Sequence, residues 1–362
     1  MNGFTQEPEE LRRDELAAVE RVVRSGWYVL GQEVAAFEKE WAAAAGTAHA
    51  VGVGNGMDAI EIGLRVLDIG PGDEVITTPM TAFASVLAIL RVGATPVLAD
   101  IDPDTACLDL QSAARCVSPK TRAVMLVHLY GQVSRLDEWR AFCAERGLLL
   151  LEDCAQSHLA TWQGAACGTV GQWGAFSFYP TKNLGCMGDG GAFNTSSGAL
   201  AERAARLRNY GQSKRYYHTE IGLNSRLDEM QAAILRERLK WLARFTTHRQ
   251  DNAATYFAGL SNPRVRPLAR PHARENHVYH LFVARCQERE RLSEHLKERG
   301  IESFFHYPVP MHLQEPCLTL RRDPQGLAVA ERHAQECISL PCHPQMSPKD
   351  LNTVIEAVNA FA

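Results

Sequence analysis

LLLLEDCAQSH (residues 148–158), followed by FSFYPTKNLGCMGDGGAF (176–193), carries the most information about the architecture of this chain. The continuous apolar run Leu148–Leu151 reads as a strand buried on both faces, and it delivers Asp153 at its carboxyl end. In α/β folds ligands are held at that end. The second segment reads as a strand entering a turn, with Lys182 between Pro180 and the glycines Gly185, Gly188, Gly190 and Gly191. A loop lysine taken alone is most often solvated. The company of this one points to chemistry: an acid (Asp153), a hydroxyl (Ser177), a lysine and a permissive backbone are what a phosphorylated pyridine aldehyde requires. In that reading the lysine forms a Schiff base, the acid keeps the ring nitrogen protonated and the hydroxyl binds phosphate.

Outward from this centre a rhythm emerges. Apolar runs at His49–Val53, Glu74–Thr78, Thr95–Ala99 and Ala123–His128 alternate with amphipathic segments of helical length, and Gly174–Tyr179 and Gly191–Thr195 add further strands. The βαβα order predicts an α/β fold with a mostly parallel seven-stranded sheet covered by helices. Residues 10–45 read as helical, broken at Ser25-Gly26-Trp27, and one long helix is predicted from Leu227 to about Ala258. Pro263–Pro271 reads as a linker. A strand at Val278–Ala284 and a helix at Arg291–Arg299 then suggest a smaller α+β domain, giving a division into residues 1–245 and 246–362.

Composition narrows the function. With 362 residues, 46% hydrophobic and 22% charged, the chain is of ordinary globular type, and a formal net charge of -4 argues against a nucleic-acid binder. The 10 cysteines are scattered singly, without a CxxC pair or a CxxC–HxxxH spacing, so they read as reduced thiols and no metal site is expected. The N-terminus is acidic and polar, without the pattern of a signal peptide. The longest apolar stretch, Ser85 to Leu98, is interrupted by Arg91, Gly93 and Pro96. A cytoplasmic protein with no membrane partner is expected.

Three more features belong near the lysine. Gly54-Asn55-Gly56-Met57-Asp58 follows a strand and opens a helix, the arrangement in which backbone N–H groups meet an anion, though glycine turns before helices are common without one. Phe83 lies just beyond the strand Glu74–Thr78, where a flat ring can rest on it; by its local sequence alone an ordinary core phenylalanine is the favoured reading. Gln156, three positions after Asp153, suits the opposite face of such a ring or the protein surface. His128 and His158 read as structural.

Taken together, these segments resemble the pyridoxal phosphate (PLP)-dependent sugar aminotransferases of the DegT/DnrJ/EryC1/StrS family, within the aspartate aminotransferase-like fold-type I group. The resemblance runs through RSGWYVLGQEVAAFEKEWA (24–42), VGVGNGMDAI (51–60), PGDEVITTPMTAFAS (71–85), GATPVLADIDPDT (93–105), VHLYGQ (127–132), the two segments quoted first, LRNYGQ (207–212), YYHTEIGLNSRLDEMQAAILR (216–236), FHYPVPMHLQ (305–314) and SLPCHP (339–344). It implies that Lys182 bears the cofactor and carries the proton, that Asp153 meets the pyridine nitrogen, that Gln156 and Phe83 flank the ring, and that Gly56, Met57 and Ser177 hold the phosphate. It implies a homodimer in which Asn224 reaches the partner's phosphate. Arg226, His306 and Tyr307 are implied near a nucleotide-sugar substrate, also across the dimer, and Tyr28 is a further substrate candidate.

Departures from the family pattern are local. Met57 stands where a hydroxyl residue is usual, so its contact must come from the backbone; Ala82 replaces a threonine before Phe83; and Leu159 replaces a glycine. The implied reaction is ping-pong transfer of an amino group from L-glutamate to a keto group on a nucleotide-linked sugar. Asp189 before the glycine pair leans toward amination at C3, and the resemblance favours a dTDP-3-keto-6-deoxyhexose acceptor. The alternatives are a UDP-linked 3-keto sugar, a 4-keto sugar or, more distantly, a non-catalytic or regulatory homologue.

Overall fold

Every apolar run upstream of residue 196 that was expected to be a strand is one in the computed structural model, which describes residues 3–362. Helices α1 (Glu9–Ser25) and α2 (Gln32–Ala45) precede β1 (His49–Val53). Then α3 (Gly56–Arg65), β2 (Glu74–Thr77), α4 (Phe83–Arg91), β3 (Thr95–Leu98), α5 (Leu110–Cys116), β4 (Thr121–Val127), α6 (Leu136–Arg146) and β5 (Leu149–Asp153) alternate. A hairpin of β6 (Thr161–Trp162) and β7 (Ala165–Ala166) leads to β8 (Gly174–Ser177) and β9 (Gly191–Thr195). After α7 (Gly198–Leu207) and a second hairpin, β10 (Gln212–Lys214) with β11 (Tyr217–His218), comes the long helix α8 (Glu229–Gly259).

The seven-stranded sheet has the order β1-β9-β8-β5-β4-β2-β3. Only β9 is reversed, antiparallel to both β1 and β8, while the other pairings are parallel. Side chains alternate between two cores, as the period of a strand demands. On β4, Val124 and Leu126 join the core beneath α2, α6 and α8, whereas Ala123 and Met125 join the one beneath α3 and α7. Because both faces are covered, the strand is apolar at every one of these positions. The parallel strands end on one edge, so the segments after β1, β2, β4, β5 and β8 converge there.

Helix α8 is continuous for 31 residues, so a division at 245/246 falls within it. Ala232, Leu235 and Leu242 pack in the main-sheet core; Ala253 and Tyr256 pack in a separate core with residues from the C-terminal elements. Those elements are β12 (Arg266–Pro267), β13 (Phe282–Arg285), α9 (Arg289–Lys297), α10 (Ala328–Glu336), β14 (Cys337–Leu340) and α11 (Pro348–Asn359), with the three strands forming an antiparallel sheet. Two expectations are corrected here. The strand predicted from Val278 starts only at Phe282, because Val278 and Leu281 donate instead to Gly131 and Tyr130 of the main domain and Tyr279 takes a positive φ of 45°. Part of the predicted linker is the edge strand β12, a position that tolerates Pro267. All 10 cysteines are buried free thiols, and no helix among the described residues is long and apolar enough to cross a membrane.

Candidate active site

Asp153 closes β5 and is buried, with 5% exposure. Both of its carboxylate oxygens have donors: Ser85 Oγ gives a hydrogen bond of 2.7 Å to Oδ2, and the Ala155 N–H gives one of 3.0 Å to Oδ1. Ser85 is itself 2.8 Å from Thr81 Oγ. Ala82 caps α4 without a side-chain hydrogen bond, which leaves Thr81 for this chain of hydroxyls. Phe83, the first residue of α4, is 36% exposed despite its apolar neighbours, which leaves its ring available to a ligand.

Lys182 stands on the turn after β8, its N–H bonded to the Tyr179 carbonyl at 2.8 Å. The turn folds back so tightly that a Cβ on Gly185 would lie 2.4 Å from the Pro180 oxygen. Lys182 is half-buried. Burial of its amine lowers the pKa to about 8, with the negative charge of Asp153 pulling in the opposite direction. Three imidazoles share this environment. Burial lowers His158 to about 3 and His306 to about 4, and takes His280 well below its usual value; the positive charge of Lys182 adds to each shift. All three are neutral near pH 7. His158 donates its Nε2–H to the Ser177 carbonyl at 3.0 Å, which anchors the end of β8.

Gln156 is clamped from two sides. Its Oε1 accepts from the Tyr130 N–H at 2.7 Å, and its Nε2 donates to the Tyr307 hydroxyl at 3.2 Å. Beyond β1, the Asn55 side chain caps α3 by accepting from the Asp58 N–H at 2.9 Å. Gly56 and Met57 therefore begin the helix with N–H groups directed at its positive end. Gly56 is required by close approach, since a Cβ there would lie 2.6 Å from Ser177 Cβ. Ser225 Oγ accepts from the Gly54 N–H at 2.9 Å and braces the same turn.

His306 and Tyr307, expected to arrive across a dimer, belong to this chain's own pocket, as the Gln156–Tyr307 bond shows. The correction follows from the loop after α9, which returns to the main domain. Asn224, Arg226 and Tyr28 are not bonded to the Asp153–Lys182 group. Asn224 is exposed; Arg226 donates to Asn209 Oδ1 at 3.2 Å and lies 5.3 Å from the Tyr210 ring centre. Tyr28 is 49% exposed beside Trp27 at 62%. His128 pairs with Glu152 at 3.0 Å in the buried layer behind Asp153. Glu152 also accepts from the N–H groups of Gly168, Val170 and Gly171, so these residues and nearby Cys154 form a satisfied structural knot.

The donor set fits pyridoxal 5'-phosphate. Gly56 and Met57 open a helix beside Ser177, so closely that a Cβ on Gly56 would meet Ser177, and their N–H groups with the Ser177 hydroxyl would suit a phosphate; Asp153 would offer a carboxylate to a protonated ring nitrogen, and Lys182 an amine whose pKa is lowered to about 8. Ser85 and Thr81 were not anticipated from the sequence, where only the spacing Thr81–Ser85 on a helix start hinted at them. Ser85→Ala removes a hydrogen bond to a charged group and is expected to weaken cofactor affinity and kcat by roughly 10-fold each. Fluorescence titration of the cofactor-free protein and steady-state rates check this; wild-type values for both would contradict it.

Comparison with known proteins agrees with the geometry. The model of the DegT/DnrJ/EryC1/StrS aminotransferase family matches residues 9–359. The chain is 45% identical over 357 residues to the dTDP-3-amino-3,4,6-trideoxy-alpha-D-glucose transaminase of Streptomyces venezuelae, covering 98% of this chain and 93% of that protein. It is 42% identical over 344 residues to the dTDP-3-amino-3,6-dideoxy-alpha-D-galactopyranose transaminase of Aneurinibacillus thermoaerophilus, covering 95% and 94%. Among solved structures, S. venezuelae DesV in complex with a ketimine intermediate superposes with a TM-score of 0.93 at 45% identity, covering 97% of this chain and 95% of that one. A match along nearly the whole length means that this chain belongs to the DegT/DnrJ/EryC1/StrS aminotransferase family.

Proposed function

We propose that this aminotransferase moves the amino group of L-glutamate to C3 of a dTDP-linked 3-keto-6-deoxyhexose, acting as a cytoplasmic homodimer with pyridoxal 5'-phosphate. The observation that carries the reading is the buried grouping of Lys182, Asp153 and the Gly56–Ser177 cradle. The dTDP and C3 assignments take support from the two transaminase relatives, and C3 also from Asp189 ahead of Gly190-Gly191.

When bound, the cofactor supplies an electron sink for the charge left on a substrate carbon as its C–H bond breaks. Asp153, held by Ser85 and Ala155, would offer its negative charge to the ring nitrogen and so keep that nitrogen protonated. Gln156 and Phe83 would flank the ring, and Gly56, Met57 and Ser177 would hold the phosphate. Lys182 removes the proton from the amino-bearing carbon of glutamate, holds it on Nζ and hands it on, not back to that carbon, within the same half-reaction. The product 2-oxoglutarate leaves before the keto sugar enters, and the same amine then moves a proton in the opposite sense. His306 and Tyr307 line the acceptor side, with Tyr28 and Arg226 as further contacts.

The dimer explains the surface. Trp27, Met187, Tyr216, Tyr217 and Ile221 are 57–88% exposed, an apolar and aromatic display unusual for a monomer. Asn224 is exposed as well, and in this reading it reaches the partner's phosphate. Buried reduced thiols suit a reducing compartment.

Lys182 also sets a pH dependence. Its amine, lowered from 10.5 to about 8, is protonated below that value and a nucleophile above it. Capture of pyridoxal phosphate by the cofactor-free protein should slow by about tenfold per pH unit below the transition and level off above it. Stopped-flow absorbance measures this, and a midpoint near 10 would contradict a buried amine. The function itself is tested by supplying glutamate with dTDP- and UDP-linked 3-keto and 4-keto sugars and reading products by NMR. A 3-amino dTDP sugar is expected. Amination confined to UDP sugars or to C4 would overturn the substrate assignment.

A further inference from the structure

HLYGQ (128–132) follows β4, and its tyrosine touches neither Asp153 nor Lys182 in the site as described. Tyr130 is 1% exposed and adopts a left-handed backbone conformation, φ 61° and ψ 0°. A bulky residue is held in that region only where its surroundings over-determine it. They do so here. The Tyr130 N–H donates to Gln156 Oε1 at 2.7 Å, while its hydroxyl donates to the His306 carbonyl and lies 3.0 Å from His333 Nε2.

The proton inventory of this junction is determined. Burial pushes the Tyr130 phenol well above its usual value and lowers His333 to about 4, so the phenol keeps its proton and His333 is neutral near pH 7. With the single phenolic hydrogen committed to the carbonyl, His333 must donate Nε2–H to the Tyr130 oxygen. The residue after His306 closes a ring, because Tyr307 accepts from Gln156 Nε2 at 3.2 Å. His306 is further pinned through Nδ1, 2.9 Å from Ser339 Oγ. One tyrosine thus ties the Gln156 amide, in the main domain, to the His306–Tyr307 segment of the C-terminal region.

We infer that Tyr130 is a positioning residue that locks Gln156 and the His306–Tyr307 segment into one unit, fixing the acceptor wall relative to the cofactor ring. Its bearing on the acceptor rests on the sugar-aminotransferase reading above. Its bearing on the cofactor through Gln156 does not.

Tyr130→Phe keeps the ring and the backbone N–H and deletes only the hydroxyl. It is expected to raise KM for the keto sugar roughly 10-fold, the scale of losing the bond that holds the His306 carbonyl. In single-turnover measurements the acceptor half-reaction slows more than the glutamate half-reaction. Cofactor affinity, titrated by fluorescence in the cofactor-free protein, falls about threefold. The decisive measurement is the double-mutant cycle with Tyr307→Phe, read both on acceptor KM and on cofactor affinity. If Tyr130 acts through Tyr307, the double variant is no worse than the worse single one. His333→Leu, which removes the donor behind the tyrosine, should show the same selective effect on the acceptor half. Additive effects in both readouts, or equal slowing of the two half-reactions, would overturn the inference. A wild-type enzyme that aminates no keto sugar would sink the substrate reading instead, and the cycle on cofactor affinity would still decide this one.

Discussion

Lys182→Ala is expected to lower turnover with glutamate by about 10⁴-fold or more, since on the proposed function it deletes both the nucleophile and the group that carries the proton. The site offers no substitute base. The nearby imidazoles of His158, His280 and His306 are held neutral, with pKa values well under the lysine's. His158 is committed to the Ser177 carbonyl, and His306 is bonded through Nδ1 to Ser339. Lys182→Arg should fail equally, because a guanidinium keeps its proton at any working pH. The fold should survive both changes. The turn is held by the Lys182 N–H to Tyr179 carbonyl bond and by the close packing at Gly185, neither of which uses the lysine side chain. Steady-state rates together with circular dichroism check the prediction, and a loss of less than tenfold would contradict it.

Asp153→Asn carries the second largest expected effect, a fall in kcat on the order of 10³-fold, comparable to removing a preorganised charge from a transition state. The shape of the residue is preserved, and Ser85 and Thr81 are hydroxyls that can reverse their donor direction to suit an amide. Cofactor capture by Lys182 should therefore persist, with a visible absorbance band after loading. On the proposed function, what is lost is the negative charge that would keep the ring nitrogen protonated, and with it the sink for electrons released at the C–H bond. The defect belongs in kcat far more than in KM for glutamate. Equal changes in both, or a kinetic constant near that of the wild type, would show that the acid only shapes the pocket.

Legibility in the sequence followed the range of the interactions. The strands at His49–Val53 and Gly191–Thr195 match their predicted limits because apolar continuity and flanking turns are local signals. Asp153 was readable as the last residue of a buried strand, and Lys182 as the lysine of a glycine-bounded turn. The start of β13 was not, because Val278 and Leu281 are drawn into bonds with residues near 130, and no local pattern records a contact so distant in the chain. The reversal of β9 was equally hidden: alternating elements imply parallel pairing, yet the Lys182 turn joins β8 to β9 with no helix between them, and so makes an antiparallel pair. Within the site, Ser85 lies 68 positions from Asp153, and Tyr130 lies 176 from His306. Such residues look like ordinary helix and loop positions until the sheet edge gathers them.

The central claim is that Lys182 itself bears the cofactor, and it can be tested by trapping that bond. Purified protein loaded with pyridoxal phosphate is reduced with borohydride, digested and analysed by peptide mass spectrometry. The phosphopyridoxyl mass should appear on the peptide containing Lys182, and should disappear when glutamate is added before the reductant. Modification of a different lysine, or labelling of Lys182 that glutamate leaves unchanged, would contradict the account.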